Sequence, residues 1–196
     1  MKILKTVAMA LLALGTIACN SEKKPTAPER IVEDVDPQSG VISLRNYTLN
    51  DTITIGGKLY KYSCRFEHVD SMPVLINPQG LEYHECRASI DITREDAKVF
   101  SKTFYKSNFH DHIPSDFLKT STVVGINYNF MKIDSDRSAF YFIITVGDPD
   151  ETSDNMAYPL EVKIATDGSF SIRQAEDLET EPLSPGLNID PSEDAV

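Results

Sequence analysis

The chain has 196 residues and a formal net charge of −11, with 30 acidic against 19 basic side chains. An acidic chain lacks the basic surface that phosphate backbones require, so the composition argues against nucleic-acid binding and against attraction to anionic lipids. The length suits one domain with short extensions.

The chain begins with a basic start and a short apolar run. Lys2 and Lys5 precede residues 7–18, twelve positions that are all apolar or small. A helix that spans a bilayer needs about 20 residues, so this run is too short to span and is instead typical of a secretory signal peptide.

Cys19 follows this run directly and resembles the acylated cysteine of a bacterial lipoprotein. We therefore predict that residues 1–18 are cleaved and that Cys19 carries diacylglycerol and palmitate. Thr16 departs from that pattern, which prefers Leu three residues before the cysteine. Thr16, Ile17 and Ala18 also suit an ordinary signal peptidase, which would leave a secreted protein with a free thiol.

Composition divides the rest of the chain into three parts. Residues 19–40 are polar and predict a flexible tether that follows the lipid attachment. Residues 41–174 predict one β-rich domain. Residues 175–196 carry seven acidic side chains, three prolines and no basic side chain, which predicts a disordered acidic tail.

Alternating apolar and polar residues predict β-strands through most of the central part. One hairpin turns at Gly56-Gly57, and a closing hairpin turns at Asp167-Gly168 and places Phe170 and Ile172 on the core side. The longer predicted strands are 47–55, 58–68, 82–93, 97–105, 122–134 and 138–147. Residues 138–147 are apolar on both faces, which predicts a central strand.

These elements predict a mainly β fold, with an α+β fold as the alternative. Strands joined by short turns favour an antiparallel meander that forms a curved sheet or a small sandwich. One short helical segment is expected near 106–119, where Ser107 can cap a helix and Pro114 can end or start one.

Two cysteines, Cys64 and Cys86, fall on the inward faces of their strands. If strands 58–68 and 82–93 pair about Leu75, the two thiols lie opposite each other and can form a disulfide. The alternative is a pair of reduced core thiols, because cysteine is often buried. A dithiol metal site or redox site would need closer C-x-x-C spacing.

Four histidines are candidate metal ligands. His110 and His112 would point to one side if the segment is extended, and His68 and His84 are diagonal neighbours in the predicted register. No third ligand is placed by spacing, so ordinary surface histidines are the alternative.

A calcium loop is a further candidate between residues 148 and 154. Its ligands would be Asp148, Asp150, Glu151 and Asp154. The EF-hand pattern is not met here, and a solvated acidic turn is the favoured alternative.

The chain carries none of the short catalytic or phosphate-binding motifs. No G-x-S-x-G, G-x-x-x-x-G-K or H-E-x-x-H sequence occurs. We therefore expect a protein that is not an enzyme and that needs no cofactor.

Three segments carry a family resemblance, and together they span roughly residues 81–173. They are Arg87–Thr93, Phe100–Phe109 and Ile164–Ile172. They resemble an uncharacterised domain-of-unknown-function family of small Bacteroidetes lipoproteins, for which no functional residues are known.

The resemblance also implies a location and a modification. Asn20 after the cysteine favours the outer membrane, on its periplasmic face or at the cell surface. Thr52 and Ser71 resemble O-glycosylation acceptors of such bacteria. We expect a lipid-anchored envelope module that binds or supports another envelope protein or a glycan. The alternative is an envelope protein that binds a small ligand or a metal ion.

Overall fold

The computed structural model describes residues 32–150 and 157–175. The predicted signal peptide, Cys19 and the acidic tail from residue 176 lie outside these residues, as do Glu151 and Asp154. The strands are β1 Val32–Val35, β2 Ile42–Leu44, β3 Tyr47–Ile55, β4 Lys58–His68, β5 Leu75–Ile76, β6 Glu82–Tyr83, β7 Cys86–Arg94, β8 Ala97–Phe104, β9 Thr122–Tyr128, β10 Ala139–Gly147, β11 Tyr158–Ala165 and β12 Phe170–Gln174. A 3₁₀ helix spans Lys106–Phe109, α1 spans Ser115–Thr120 and α2 spans Phe130–Ser135.

Two four-stranded antiparallel sheets form the body of the protein, as the predicted mainly β class requires. Their strand orders are β3-β4-β7-β8 and β12-β11-β10-β9. A third, small sheet has the order β1-β2-β6-β5, and its β2 and β6 pair in parallel between Ile42 and Tyr83. The two N-terminal strands, β1 and β2, are therefore hydrogen-bonded in one sheet with β5 and β6, which lie in the connection between β4 and β7.

The two large sheets pack face to face through aromatic side chains. Tyr60 meets Phe140 edge to face at 5.1 Å, and Tyr62 stacks on Tyr128 at 4.7 Å. Tyr60 and Tyr62 alternate along β4 with exposed or half-buried neighbours, so the period of two gives this strand one core face. Burial of each such ring contributes roughly 1.5–3 kcal/mol.

The two hairpins and the central strand confirm the predicted pattern. β3 and β4 turn at Gly56 and Gly57, whose φ angles of 56° and 74° fit a tight turn. β10 lies between β9 and β11 and is buried at eight of its nine positions, as expected for a strand that is apolar on both faces. The segment near 106–119 forms the 3₁₀ helix and α1.

Three sequence expectations need correction. The predicted strand 122–134 ends at Tyr128, because the Asn129 side chain accepts a hydrogen bond from the Lys132 backbone N–H and caps α2. Phe170 is 42% exposed, since β12 is an edge strand. β1 lies within residues 19–40, so Val32–Val35 of the predicted tether form a strand that pairs with β2.

The register of β4 and β7 differs from the one that predicted a cysteine bridge. Cys64 pairs with Ile90 and Cys86 pairs with His68, so the two cysteines are four positions apart along the ladder. At about 3.4 Å per residue this is roughly 13 Å, which is beyond the reach of a disulfide. The predicted register is wrong because the connection is centred two residues further along the chain. Both cysteines are buried free thiols.

Candidate functional site

An open groove of about 680 Å³ lies where the small sheet meets the ends of β4 and β7. Its lining residues are Glu33, Asp34, Asp36, Ser43, His68, Asp70 and His84. Four of these side chains are carboxylates, and none of the described residues that line the groove is Lys or Arg. The groove is therefore a region of negative potential with two imidazoles in its wall.

His68 is the last residue of β4 and is held by two hydrogen bonds. Its backbone N–H donates to Oδ1 of Asn46 at 2.8 Å, and its ring Nδ1 donates to the Leu44 carbonyl oxygen at 2.9 Å. Because Nδ1 carries the proton, Nε2 of the neutral ring has the lone pair. Nε2 lies 3.5 Å from Oδ1 of Asp70.

His84 stands between β6 and β7. Its backbone N–H donates to the Ile42 carbonyl oxygen at 2.9 Å, which continues the parallel pairing with β2. The rings of His84 and His68 are 6.1 Å apart, so the structure brings this predicted pair together. Nδ1 of His84 is buried, has no hydrogen-bond partner among the described residues, and lies 4.0 Å from the same Asp70 oxygen.

Sequence reasoning missed Asp70, which joins the two histidines. Its side chain is 75% exposed in the turn after β4. The short sequence His68-Val69-Asp70 at a strand end is the signal that could have found it. The rim carboxylates on β1 could not be placed in this way, because that segment reads as a tether.

The rim carboxylate of Asp36 is fixed by its own turn. Its Oδ1 accepts hydrogen bonds from the backbone N–H groups of Gln38 at 2.7 Å and Ser39 at 3.1 Å. These bonds, with a smaller contribution from His84, hold the pKa of Asp36 below its ordinary value of 3.8. The carboxylate is therefore charged at neutral pH.

The predicted pair His110 and His112 does not take the extended geometry that would aim both rings to one side. The chain turns here, and the His112 backbone N–H donates to the Phe109 carbonyl oxygen. His110 donates from Nδ1 to the Ser107 carbonyl oxygen at 2.9 Å, and its Nε2 lies 3.3 Å from Oδ1 of Asp111. Neither histidine lines the groove.

Asp148, a predicted calcium ligand, is buried and anchors a loop. Its Oδ1 accepts hydrogen bonds from Nδ2 of Asn77 and from the Asp150 backbone N–H, both at 3.1 Å. In the part of the chain that the structure describes, no group of three or more His, Cys, Asp or Glu side chains is placed so that it could hold a metal ion.

Glu85, the residue after His84, is the centre of a buried polar network. Nζ of Lys106 lies 2.5 Å from Oε1 of Glu85 and donates to the Ser121 carbonyl oxygen at 3.0 Å. Thr122 donates from Oγ1 to Oε2 of Glu85 and accepts from the Cys86 backbone N–H, both at 2.9 Å. Because both carboxylate oxygens of Glu85 have partners, this network joins elements and offers no open position to a ligand.

A smaller hollow of about 360 Å³ lies over β3, β4 and β7. Thr52, one of the two predicted glycosylation positions, lines it and is exposed, and Ser71 is exposed in the turn after β4. Lys61 and Asp91 place opposite charges in this hollow. Its electrostatic potential is therefore mixed in sign, unlike the negative potential of the groove.

The described residues form a β protein of two packed sheets with an acidic groove at the small third sheet. They include no helix with the length and apolar character needed to cross a membrane. The chain belongs to the family described as Domain of unknown function (DUF4738), whose profile matches residues 29–172. This match confirms the predicted membership of an uncharacterised family and extends it beyond residues 81–173. No curated protein matches the chain.

Proposed function

We propose that this protein is a non-enzymatic module of the cell envelope, anchored through lipid on Cys19, that binds a cationic ligand in the acidic groove. The observation that carries the proposal is the convergence of His68 and His84 on Asp70 within a rim of carboxylates. The leader and Cys19 support the envelope location.

The charges that line the groove favour a cation. Glu33 and Asp34 project from β1, an exposed edge strand, and Asp36 follows in the next turn. Like charges in one concave surface reinforce each other's potential, attract cations and repel anions. A carboxylate or phosphate ligand would face this repulsion, so the groove discriminates by charge.

The groove lacks the hydrogen bond that would activate a nucleophile. Ser43 is the hydroxyl that lines it, and among the described residues no hydrogen bond joins Ser43 to either imidazole. Serine needs such a base to become nucleophilic. The arrangement therefore favours binding over hydrolysis.

The anchor is tested by metabolic labelling with an alkyne analogue of palmitate. The wild-type protein is expected to take up the label and to fractionate with the outer membrane. Cys19→Ser is expected to lose both properties. An unlabelled wild-type protein would remove the lipoprotein part of the proposal and leave plain secretion.

The groove is tested with a short oligolysine peptide as the cationic probe, measured by calorimetry on the full-length protein. The double variant Glu33→Gln, Asp34→Asn is expected to weaken binding, and added salt should weaken it further. The matched control, Asp111→Asn with Asp116→Asn, removes two exposed carboxylates outside the groove. Equal affinity in both double variants would reject the groove as the binding site.

A further inference from the structure

We propose that Nε2 of His68, Nδ1 of His84 and one carboxylate oxygen of Asp70 bind a single divalent transition-metal ion, for which Zn²⁺ is the probe. This inference rests on the proposed cationic ligand of the groove and names its chemical class. It concerns a site that the fold assembles from the end of β4, the turn after it and the junction of β6 with β7.

Two of the three separations between donor atoms approach those of a tetrahedral site. Zinc bonds to imidazole nitrogen and carboxylate oxygen are about 2.0–2.1 Å, so neighbouring ligand atoms lie about 3.4 Å apart. Oδ1 of Asp70 is 3.5 Å from Nε2 of His68 and 4.0 Å from Nδ1 of His84. The first separation already fits, and the second needs a closure of roughly half an ångström.

Asp70 can supply that closure. Its side chain is 75% exposed and lies in a turn, while the two imidazoles are about one-fifth exposed and the backbone N–H groups of both histidines are hydrogen-bonded. The carboxylate can therefore change rotamer without disturbing packed neighbours. In the observed rotamer of Asp70 the three side chains do not form a group that could hold a metal ion, so binding requires this movement.

His68 is oriented as metal-binding histidines usually are. Such a ring donates its second N–H to a carbonyl or a carboxylate, which fixes the tautomer and aims the free nitrogen. The bond from Nδ1 of His68 to the Leu44 carbonyl oxygen does this and leaves Nε2 toward Asp70.

His84 provides an independent observation. Its Nδ1 is buried without a hydrogen-bond partner in the described part of the chain, although a buried polar atom normally has one. The nearest charged oxygen is that of Asp70 at 4.0 Å, too far for a hydrogen bond. An ion between the two atoms would satisfy both.

The donor types select the class of metal. Imidazole nitrogen suits zinc, copper and nickel, whereas calcium and magnesium take oxygen ligands. Three protein ligands leave a fourth tetrahedral position, which water can fill. The rim carboxylates do not need to coordinate, because their charge raises the local concentration of cations.

The test is calorimetric titration of the full-length protein with zinc alone. Asp70→Asn and His84→Gln are each expected to weaken zinc binding at least about tenfold, as perturbation of a metal site usually does. The matched control is His110→Gln with Asp111→Asn, which removes the exposed His–Asp pair outside the groove and should leave the affinity unchanged. The Asp70 side chain is exposed, so Asp70→Asn should not affect folding. This variant therefore still tests the metal site if His84→Gln fails to fold.

Imidazole ¹⁵N spectra give a readout that a structural role would not produce. Zinc should shift the ring nitrogens of His68 and His84 and leave those of His110 in place. Equal loss of affinity in groove and control variants, or shifts confined to His110 and His112, would overturn the metal site. If zinc fails while oligolysine still binds, the metal inference falls and the cationic groove stands. If neither binds, both fall.

Discussion

Two tyrosine hydroxyls in the core region have opposite surroundings. Tyr47 donates from its hydroxyl to the Ile126 carbonyl oxygen at 3.1 Å and accepts from the Ile126 backbone N–H at 2.7 Å. Burial raises the pKa of Tyr47 to about 12, against the opposing effect of that N–H. The Tyr62 hydroxyl is buried with no partner among the described residues, and burial raises its pKa as well.

This difference predicts opposite effects of the same substitution. Tyr47→Phe leaves the Ile126 N–H unpaired and should lower the free energy of unfolding by about 1–3 kcal/mol. Tyr62→Phe removes a hydroxyl that is desolvated without compensation, so it should be neutral or stabilising. Urea denaturation measures both. A larger loss for Tyr62→Phe than for Tyr47→Phe would contradict the assignment.

The cysteine thiols are expected to be inert. Burial, with a smaller effect of Glu85, raises the pKa of Cys86 to about 12, and burial also raises the pKa of Cys64. The thiolate is the reactive form, so the folded protein should resist iodoacetamide at neutral pH. Counting labelled thiols by mass in Cys19→Ser isolates these two residues. Both should react in denaturant without reductant, and a requirement for reductant would contradict free thiols.

At the level of elements, the Lys106–Glu85 ion pair joins the 3₁₀ helix to the segment before β7. The side chains are 21% and 9% exposed. Lys106→Met should cost roughly 2–4 kcal/mol of unfolding free energy, because it leaves the buried Glu85 carboxylate without its cationic partner and with only the hydrogen bond from Thr122. The cost should be near the lower bound, since Lys106 is partly exposed.

Lys119→Met is the matched control for that prediction. It breaks an ion pair with Asp116 that is 72% and 90% exposed on α1, and such surface pairs add little to stability. Equal shifts of the urea midpoint in both variants would show that the Lys106 pair contributes no more than an exposed one.

The strands were predictable from sequence because their cause is local. In β4 and β10 the pattern of side chains identifies the core face or the central position without knowledge of the partner strand. The end of β9 was not predictable in this way. Phe130 continues the alternation of Val124, Ile126 and Tyr128, although Asn129 already caps α2. Local pattern and local capping compete there, and capping prevails.

The site was only partly predictable because its assembly depends on long-range pairing. His68 and His84 were expected to be neighbours, but the pairing register that supported this was four residues off, since Cys64 pairs with Ile90 and not with Cys86. Glu33 and Asp34 join them only because β1 pairs with β2 and β2 pairs in parallel with β6. No periodicity within residues 32–35 reports that contact, since every residue of β1 is exposed.

At the scale of the molecule, the two large sheets share one core and should unfold together. Its buried side chains come from both sheets and include Tyr62, Phe104, Phe142 and Ile164. The chain has eight tyrosines and no tryptophan, so near-ultraviolet circular dichroism reports tyrosine packing. In urea this signal and the far-ultraviolet signal are expected to change at one midpoint. Two separated midpoints would show that the sheets are independent units.

The position of β1 links the groove to the anchor. This strand is the first described element, and it also supplies Glu33 and Asp34 to the groove. The twelve residues between Cys19 and Val32 can extend at most about 40 Å. A lipid on Cys19 would thus hold the groove within about 40 Å of the headgroups, whereas the ionic atmosphere above them decays over roughly 10 Å. Spacer length would then govern how fully the groove is loaded, without any change to the residues that hold its occupant.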